Sequence, residues 1–301
     1  MMQRAGNPPQ FADAIYMSTS SAAQTRAVED ALGRIARRHD LSIARSASDG
    51  IVVLDLSSRG VRTHSVHIVT PLAFESASPP ACAPRLAIVL DDMGYDQAAA
   101  HSVLALPFHV TVSVIPHLPL STEVAEEAFR RGDEVMLHLP MQSVPSAAQQ
   151  EQIELRVGMD AQQVQSTLAG MLETVPHAVG VNNHEGSLAT ANPALMSELM
   201  PDLRARGLFF IDSRTTAATV AYAAAEQAGV RAASRKVFLD DTVSERAVRK
   251  QIELAARDAE KNGSAISIGH PHRATIAALA ETVPQLEKRG IRLVFASDLV
   301  H

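Results

Sequence analysis

From Arg85 to His301 the chain alternates short apolar runs with longer amphipathic ones. The runs LAIVL, HVTVSVI, EVMLH, HAVGVN, LFFID, KVFLD, SAISIGH and IRLVFAS have the length and β-branched content of strands. Helical patterns fill most of the gaps. One of them opens on TVSE, Thr242 to Glu245, which fits a capping box, and then carries Val248, Ile252 and Ala255 along one face. Strands alternating with helices predict βα units around a parallel sheet. Seven or eight such units over roughly 215 residues suit a barrel, with a doubly wound open sheet as the alternative. Both architectures place their chemistry at the C-terminal ends of the strands.

The first 75 residues read as a small separate α+β unit. SAAQTRAVEDALGRIARRHD puts Val28, Ala31, Leu32 and Ile35 on one helical stripe. Two strand-like runs, GIVVLDL and VRTHSVHIV, follow with SSRG between them as a turn. His64 and His67 in the second run fit a half-exposed strand face. SASPPACAPR, Ser76 to Arg85, is a Pro-rich linker, since three prolines in ten residues disfavour helix and internal strand alike. The boundaries expected are therefore 1–75, 76–85 and 86–301.

The strand ends carry the chemistry. The first run ends in Asp91 and Asp92, the third in His138, and the fourth in Asn182, Asn183, His184, Glu185 and Ser187. The fifth ends in Asp212, Ser213 and Arg214, the sixth in Asp240 and Asp241, the seventh in His270 and His272. An isolated Asp-Asp pair would be a helix N-cap with a solvated neighbour. On a rim this polar, one acid can bind a cation that relieves the repulsion, and the other can act as a base beside it. His138 and His184 are the natural partners, because two imidazoles and one carboxylate leave a fourth zinc position open. His270 suits a general acid, oriented by a carboxylate such as Asp240. Asp212 and Arg214 either pair with each other or position substrate, and Asn183, Glu185 and Ser187 belong to the same outer group.

Composition narrows the field further. Apolar residues at 46% and charged residues at 20% are ordinary for a globular protein, and a net charge of −6 gives no support for nucleic-acid or anionic-membrane binding. A single cysteine, Cys82, excludes an internal disulfide and a cysteine-built zinc site, so a metal here relies on histidine and carboxylate. No run is long enough to span a bilayer, and the N-terminus lacks the apolar core of a signal peptide. The chain is accordingly cytoplasmic or begins after an export segment. No tryptophan is present, and only 3 Tyr and 8 Phe, which counts against a long sugar-stacking groove. Oligomeric state is not written in the pattern.

AIVLDDMGYD, EVMLHLPMQ, GVNNHEGS, FFIDSRT, VFLDD and AISIGHP, in this order, resemble the divergent polysaccharide deacetylase family, distant relatives of the carbohydrate esterase family 4 deacetylases. The resemblance implies a distorted β/α barrel of the glycoside hydrolase/deacetylase type, holding Zn2+ or a similar divalent metal. It implies Asp91 as base, Asp92 and His138 as metal ligands, and His270 as general acid. The better-known relatives carry a second ligand histidine where this chain has Gln142, and His184 is the candidate replacement. The family pattern also leads one to expect methionine at Glu185, which here either adds a ligand or points outward. The activity implied is metal-dependent removal of N-acetyl groups from an amino-sugar carbohydrate of cell-wall type, in an extracytoplasmic setting. The alternatives are a metal-binding but non-catalytic envelope module, or an amidohydrolase acting on another acylated small substrate.

Overall fold

The computed structural model describes residues 13–18, 22–48, 51–69, 83–144 and 153–301. Most of the Pro-rich stretch, Cys82 and the extreme N-terminus lie outside these residues. By contacts the chain divides into two compact units, 1–78 and 79–301.

The smaller unit runs β1 (Asp13–Ser18), α1 (Ala22–Arg38), β2 (Ser42–Ser48), β3 (Ile51–Ser58) and β4 (Val61–Val69). Its sheet has the order β1-β4-β3-β2, with β1 parallel to β4 and the other pairs antiparallel. Alternate residues Val52, Leu54 and Leu56 of β3 and Val66 and Ile68 of β4 make one buried face. Arg59 and Gly60 both take positive φ, the conformation a tight hairpin with right-handed strand twist requires. Helix α1 lays Val28, Leu32 and Ala36 on that face, whereas Ile35 is 51% exposed. The expected stripe is therefore rotated by one residue at its C-terminal end.

The larger unit continues β5 (Arg85–Met93), α2 (Gln97–Leu104), β6 (Thr111–Val114), α3 (Ser121–Arg131), β7 (Glu134–Met141), α4 (Ala161–Thr174), β8 (Gly180–Glu185), α5 (Pro193–Arg206) and β9 (Phe209–Asp212). It then runs through α6 (Ala221–Ala228), β10 (Ala232–Ser234), β11 (Val237–Phe238), α7 (Glu245–Asn262), β12 (Ser264–Gly269), α8 (Arg273–Lys288) and β13 (Arg292–Val294). All pairings are parallel, in the order β10-β9-β8-β7-β6-β5-β12-β11, and β13 pairs with the first residues of β5. The sheet curls into the expected distorted barrel. Its distortion lies at one seam, where a single segment pairs first with β9 as β10 and then with β12 as β11. Arg235 N–H bonds Asp212 O and Lys236 N–H bonds Ile266 O as the chain crosses.

Period-two alternation sorts every strand into two faces. Leu86, Ile88, Leu90, Val112, Leu137, Val181 and Phe210 pack outward under the helices. Ala87, Val89, Met136, Phe209, Ile211, Ile266 and Ile268 point into the barrel, where the C-terminal residues Ala296, Leu299 and Val300 fill it. Helix α7 starts two residues later than TVSE suggests: its N-cap is Ser244, whose hydroxyl accepts from Ala247 N–H. No helix among the described residues is long and apolar enough to cross a membrane.

Candidate active site

Alternation places Asp91 on the inward face with Ala87 and Val89, and it would turn Asp92 outward. The chain avoids this. The β5–β6 register slips between Leu90 and Met93, and Asp92 takes φ +57°, in the left-handed region. The bulge aims both carboxylates at the barrel mouth. Gly94 follows at φ +114°, where an added Cβ would lie 3.3 Å from Ile115 O and 3.1 Å from Ser121 Oγ.

His138 extends the inward series of β7 after Met136. On β8, Asn182 and His184 share one face, and the register sets Asn182 opposite His138 and His184 opposite Pro140. Three ligand-type atoms thereby converge. Asp92 Oδ1 lies 3.2 Å from His138 Nε2 and 3.1 Å from His184 Nδ1, and the two nitrogens are 3.1 Å apart. Four donors at zinc distances of about 2.0–2.1 Å in a tetrahedron stand about 3.3 Å from one another, so this triangle matches one face of such a polyhedron. Asp92 Oδ1 is buried and accepts no well-formed hydrogen bond. A buried carboxylate oxygen flanked by two imidazole nitrogens in poor hydrogen-bond alignment is undersatisfied, and a cation at the triangle's centre satisfies it. The donor set therefore fits a divalent ion of nitrogen and oxygen preference.

Behind the triangle stands Asn182, fully buried. Its Nδ2 donates to both oxygens of Asp91, at 2.9 and 3.1 Å, and lies 3.3 Å from Ser213 Oγ. Its Oδ1 accepts from Ser113 Oγ at 2.5 Å and from His138 Nδ1 at 3.0 Å. The amide orientation fixes the imidazole: with its nitrogen committed to a carboxylate, its oxygen faces His138, so Nδ1 carries a hydrogen and Nε2 is the ring atom that faces the triangle. Burial pushes the Asp91 carboxyl above its usual range, against the pull of His138, His270 and Asn182. For Asp92 burial works in the same sense, but His138 and His184 overcome it and hold the carboxyl well below the ordinary range. Burial opposes charge on His138 too, yet Asp91 and Asp92 raise it to about 9.

His270 faces the triangle from the other side, continuing the inward series Ile266 and Ile268 of β12. Its Nδ1 donates to Asp240 Oδ1 at 3.0 Å and its backbone N–H to Asp240 Oδ2 at 2.6 Å, where Thr275 Oγ1 also donates at 2.7 Å. Nε2 is left pointing at the mouth, 3.7 Å from Asp92 Oδ2. Burial disfavours the charged ring, but Asp240, with Asp92 and Asp91, raises the His270 pKa; burial likewise opposes charge on Asp240, and the bonds from His270 lower its pKa.

The remaining residues singled out in the sequence serve the frame. Asn183 Oδ1 accepts from Ser213 N–H, and its Nδ2 donates to Glu185 O. Glu185 takes φ +52° and offers its backbone carbonyl to Asn183 and Thr215; its side chain is not part of the ligand triangle. Ser187 Oγ accepts from Val144 N–H. Asp212 sits on the outward face with Phe210, which is why it turns away from the mouth. Its side chain is fully buried and accepts from Arg214 N–H and Thr219 Oγ1, bracing the loop, whereas the Arg214 side chain is exposed. His272 lies beside His270, with ring centroids 5.9 Å apart, and forms with Asp240 and His270 a second group of ligand-type atoms. Asn182 is the residue whose importance the sequence left unassigned. It shares a strand face with His184 by spacing, and that was the available signal.

A curled parallel β/α barrel with acids and imidazoles gathered at its C-terminal mouth is the architecture of the deacetylase-type barrels. The model of the divergent polysaccharide deacetylase family matches residues 88–300, and the chain belongs to that family. Among proteins it resembles, the uncharacterised protein YibQ of Escherichia coli K12 is 41% identical over 229 residues, 76% of this chain and 71% of the relative. An uncharacterised protein of Haemophilus influenzae is 43% identical over 215 residues, 71% of this chain and 76% of the relative. The crystal structure of the uncharacterised protein ATU2773 from Agrobacterium tumefaciens C58 superposes with a TM-score of 0.70 at 25% identity, covering 72% of this chain and 89% of that one.

Proposed function

We propose that the protein is a metal-dependent hydrolase that removes N-acetyl groups from an amino-sugar-containing carbohydrate of cell-envelope type. The observation that carries this reading is the triangle of Asp92 Oδ1, His138 Nε2 and His184 Nδ1, with its buried carboxylate oxygen. Those three residues would hold the ion, Zn2+ or a similar divalent metal, which when bound supplies Lewis-acid polarisation of the amide carbonyl and of water. Asp91, raised by burial and steered by Asn182, accepts the proton of the attacking water. His270, kept protonated by Asp240, donates from Nε2 to the departing amine as the C–N bond breaks. The two proton-handling groups thus flank the ligand triangle, as acyl transfer to water requires. An extracytoplasmic setting suits such a substrate and is part of the proposal.

The test pairs metal analysis with turnover. Purified protein reconstituted with zinc is expected to retain one ion per chain, losing it in His184→Ala. It is also expected to release acetate from N-acetylated glycan fragments, with loss of at least about 10³-fold in Asp91→Asn. Stoichiometric zinc with no acetate release from any glycan or amide offered would replace this reading by that of a binding module.

A further inference from the structure

A cavity of about 770 Å3 opens directly onto the ligand triangle, since Asp92 and His184 line it. That volume lies within the roughly 300–1,000 Å3 of sites that enclose whole drug-sized ligands, far more room than an acetyl group fills. Its walls are mostly apolar: Met93, Ile115, Leu118 and Pro271 on the inner side, with Tyr95 and Ile153 at the entrance, 76% and 48% exposed. The charged side chains among its described lining residues are the carboxylates Asp92 and Asp96, accompanied by two histidines; none of these described residues is lysine or arginine.

We infer that this cavity selects, among N-acetylated substrates, those carrying an uncharged group with an apolar face beside the reacting amide, rejects anionic ones, and uses Tyr95 and Ile153 as specificity-determining residues. The inference rests on the amide-hydrolase reading above and specifies its substrate class. An apolar group entering the cavity leaves water for Met93, Ile115 and Leu118 and gains the hydrophobic transfer energy. A carboxylate or phosphate lodged against these apolar walls sheds its hydration with no lysine or arginine among the described lining residues to meet it, and Asp96 adds like charge. The exposed ring of Tyr95 offers one flat face to a planar or sugar-like group on its way in.

Acetanilide and 4-acetamidobenzoate test this, because they share the amide and differ by one carboxylate. Binding of each to chelator-treated protein at pH 8 is followed by ligand-observed saturation-transfer NMR titration. Acetanilide is expected to bind at least about tenfold more tightly than 4-acetamidobenzoate. Tyr95→Ala should weaken acetanilide about fivefold, and its exposure leaves the fold intact. Ile153→Lys should bring the two ligands to within about twofold of each other. Equal affinity of the two ligands for the unaltered protein overturns the inference, as does a Tyr95→Ala protein that binds acetanilide as before. Acetate release from acetanilide by zinc-loaded protein is read separately. Selective binding without acetate release supports the cavity's selectivity while removing the hydrolase reading; acetate release at equal rates from both ligands does the reverse.

Discussion

Asn182 joins the candidate base to a candidate ligand, so its removal makes a sharp test of the site. Asn182→Ala takes the donor from Asp91 and the acceptor from His138 Nδ1 and Ser113 Oγ in a region where all four residues are at most 2% exposed. A hydrogen bond to a charged group is worth about 1.5–3 kcal/mol, and a buried polar group left unpaired costs about 1–3 kcal/mol. The three losses share one network and do not add, so a destabilisation of about 3–5 kcal/mol is expected in metal-free protein. That is a large share of the 5–15 kcal/mol that holds a typical domain together. Loss of the bond that orients His138 should also weaken zinc by about 10–100-fold. Urea denaturation of metal-free protein reads the first effect and competition with a zinc-buffering chelator the second. Asn182→Asp separates the two roles: it restores an acceptor to His138 but sets a second carboxylate against Asp91, so it should destabilise at neutral pH and recover on acidification. A shift below 1 kcal/mol in Asn182→Ala together with unchanged zinc affinity would refute the reasoning.

Two further outcomes follow from the charge states. In metal-free protein His138 is raised to about 9, so its contribution to stability is complete below the unfolded value of 6.5 and is lost as pH rises through about 9. Zinc must displace that proton, and apparent zinc affinity measured in a metal buffer should climb about 50-fold from pH 7 to pH 9, against a flat response if the ring is already neutral. Asp240 supplies the largest upward pull on His270, so Asp240→Asn should move the His270 titration, read from its ring-proton NMR signal, downward, and the basic limb of any pH–rate profile with it. The wild-type pair contributes stability from Asp240 above its unfolded pKa, lost as pH falls through the depressed value, and from His270 below 6.5, lost as pH rises through the raised one.

The barrel was readable because parallel strands buried on both faces are written as largely unbroken apolar runs, and β5, β7, β9 and β12 coincide with such runs. Strand β10 escaped notice. Its residues Ala232, Ala233 and Ser234 have little preference for extended backbone, and only pairing with β9 makes them a strand. The split seam was invisible for the same reason, since hydrogen-bonding partners from two different strands decide it. For the site, a polar residue after an apolar run marks the rim but not the direction in which it points. Extending the alternation past the run does better: it turns His138, Asn182, His184 and His270 inward and Asp212 outward. It fails at Asp92, because the bulge that redirects that carboxylate leaves no trace in hydrophobic pattern. The caps were similarly ambiguous, since Thr242 and Ser244 have the same capping chemistry and only the entry path of the chain chooses Ser244.

The proposed exchange of a ligand at position 142 for one at 184 has a structural logic. Gln142 lies just past the end of β7, where its side chain accepts from Val157 N–H and its backbone bonds Leu155, Leu188 and Ala189, so it ties down the segments flanking the cavity. With that position given over to the frame, the second imidazole must come from another element whose side chain reaches the same point. The adjacent strand provides one, because parallel register sets His184 beside Pro140, two residues beyond the pair of His138 and Asn182. Both histidines then depend on β7–β8 pairing, and one residue of slip would turn Asn182 and His184 outward together. Asn182 bonds across that same pairing to His138 and onward to Asp91 and Ser113 on two further strands. The amide thus holds in register the strands that supply the triangle, which is why a residue outside the triangle has a predicted effect on the metal.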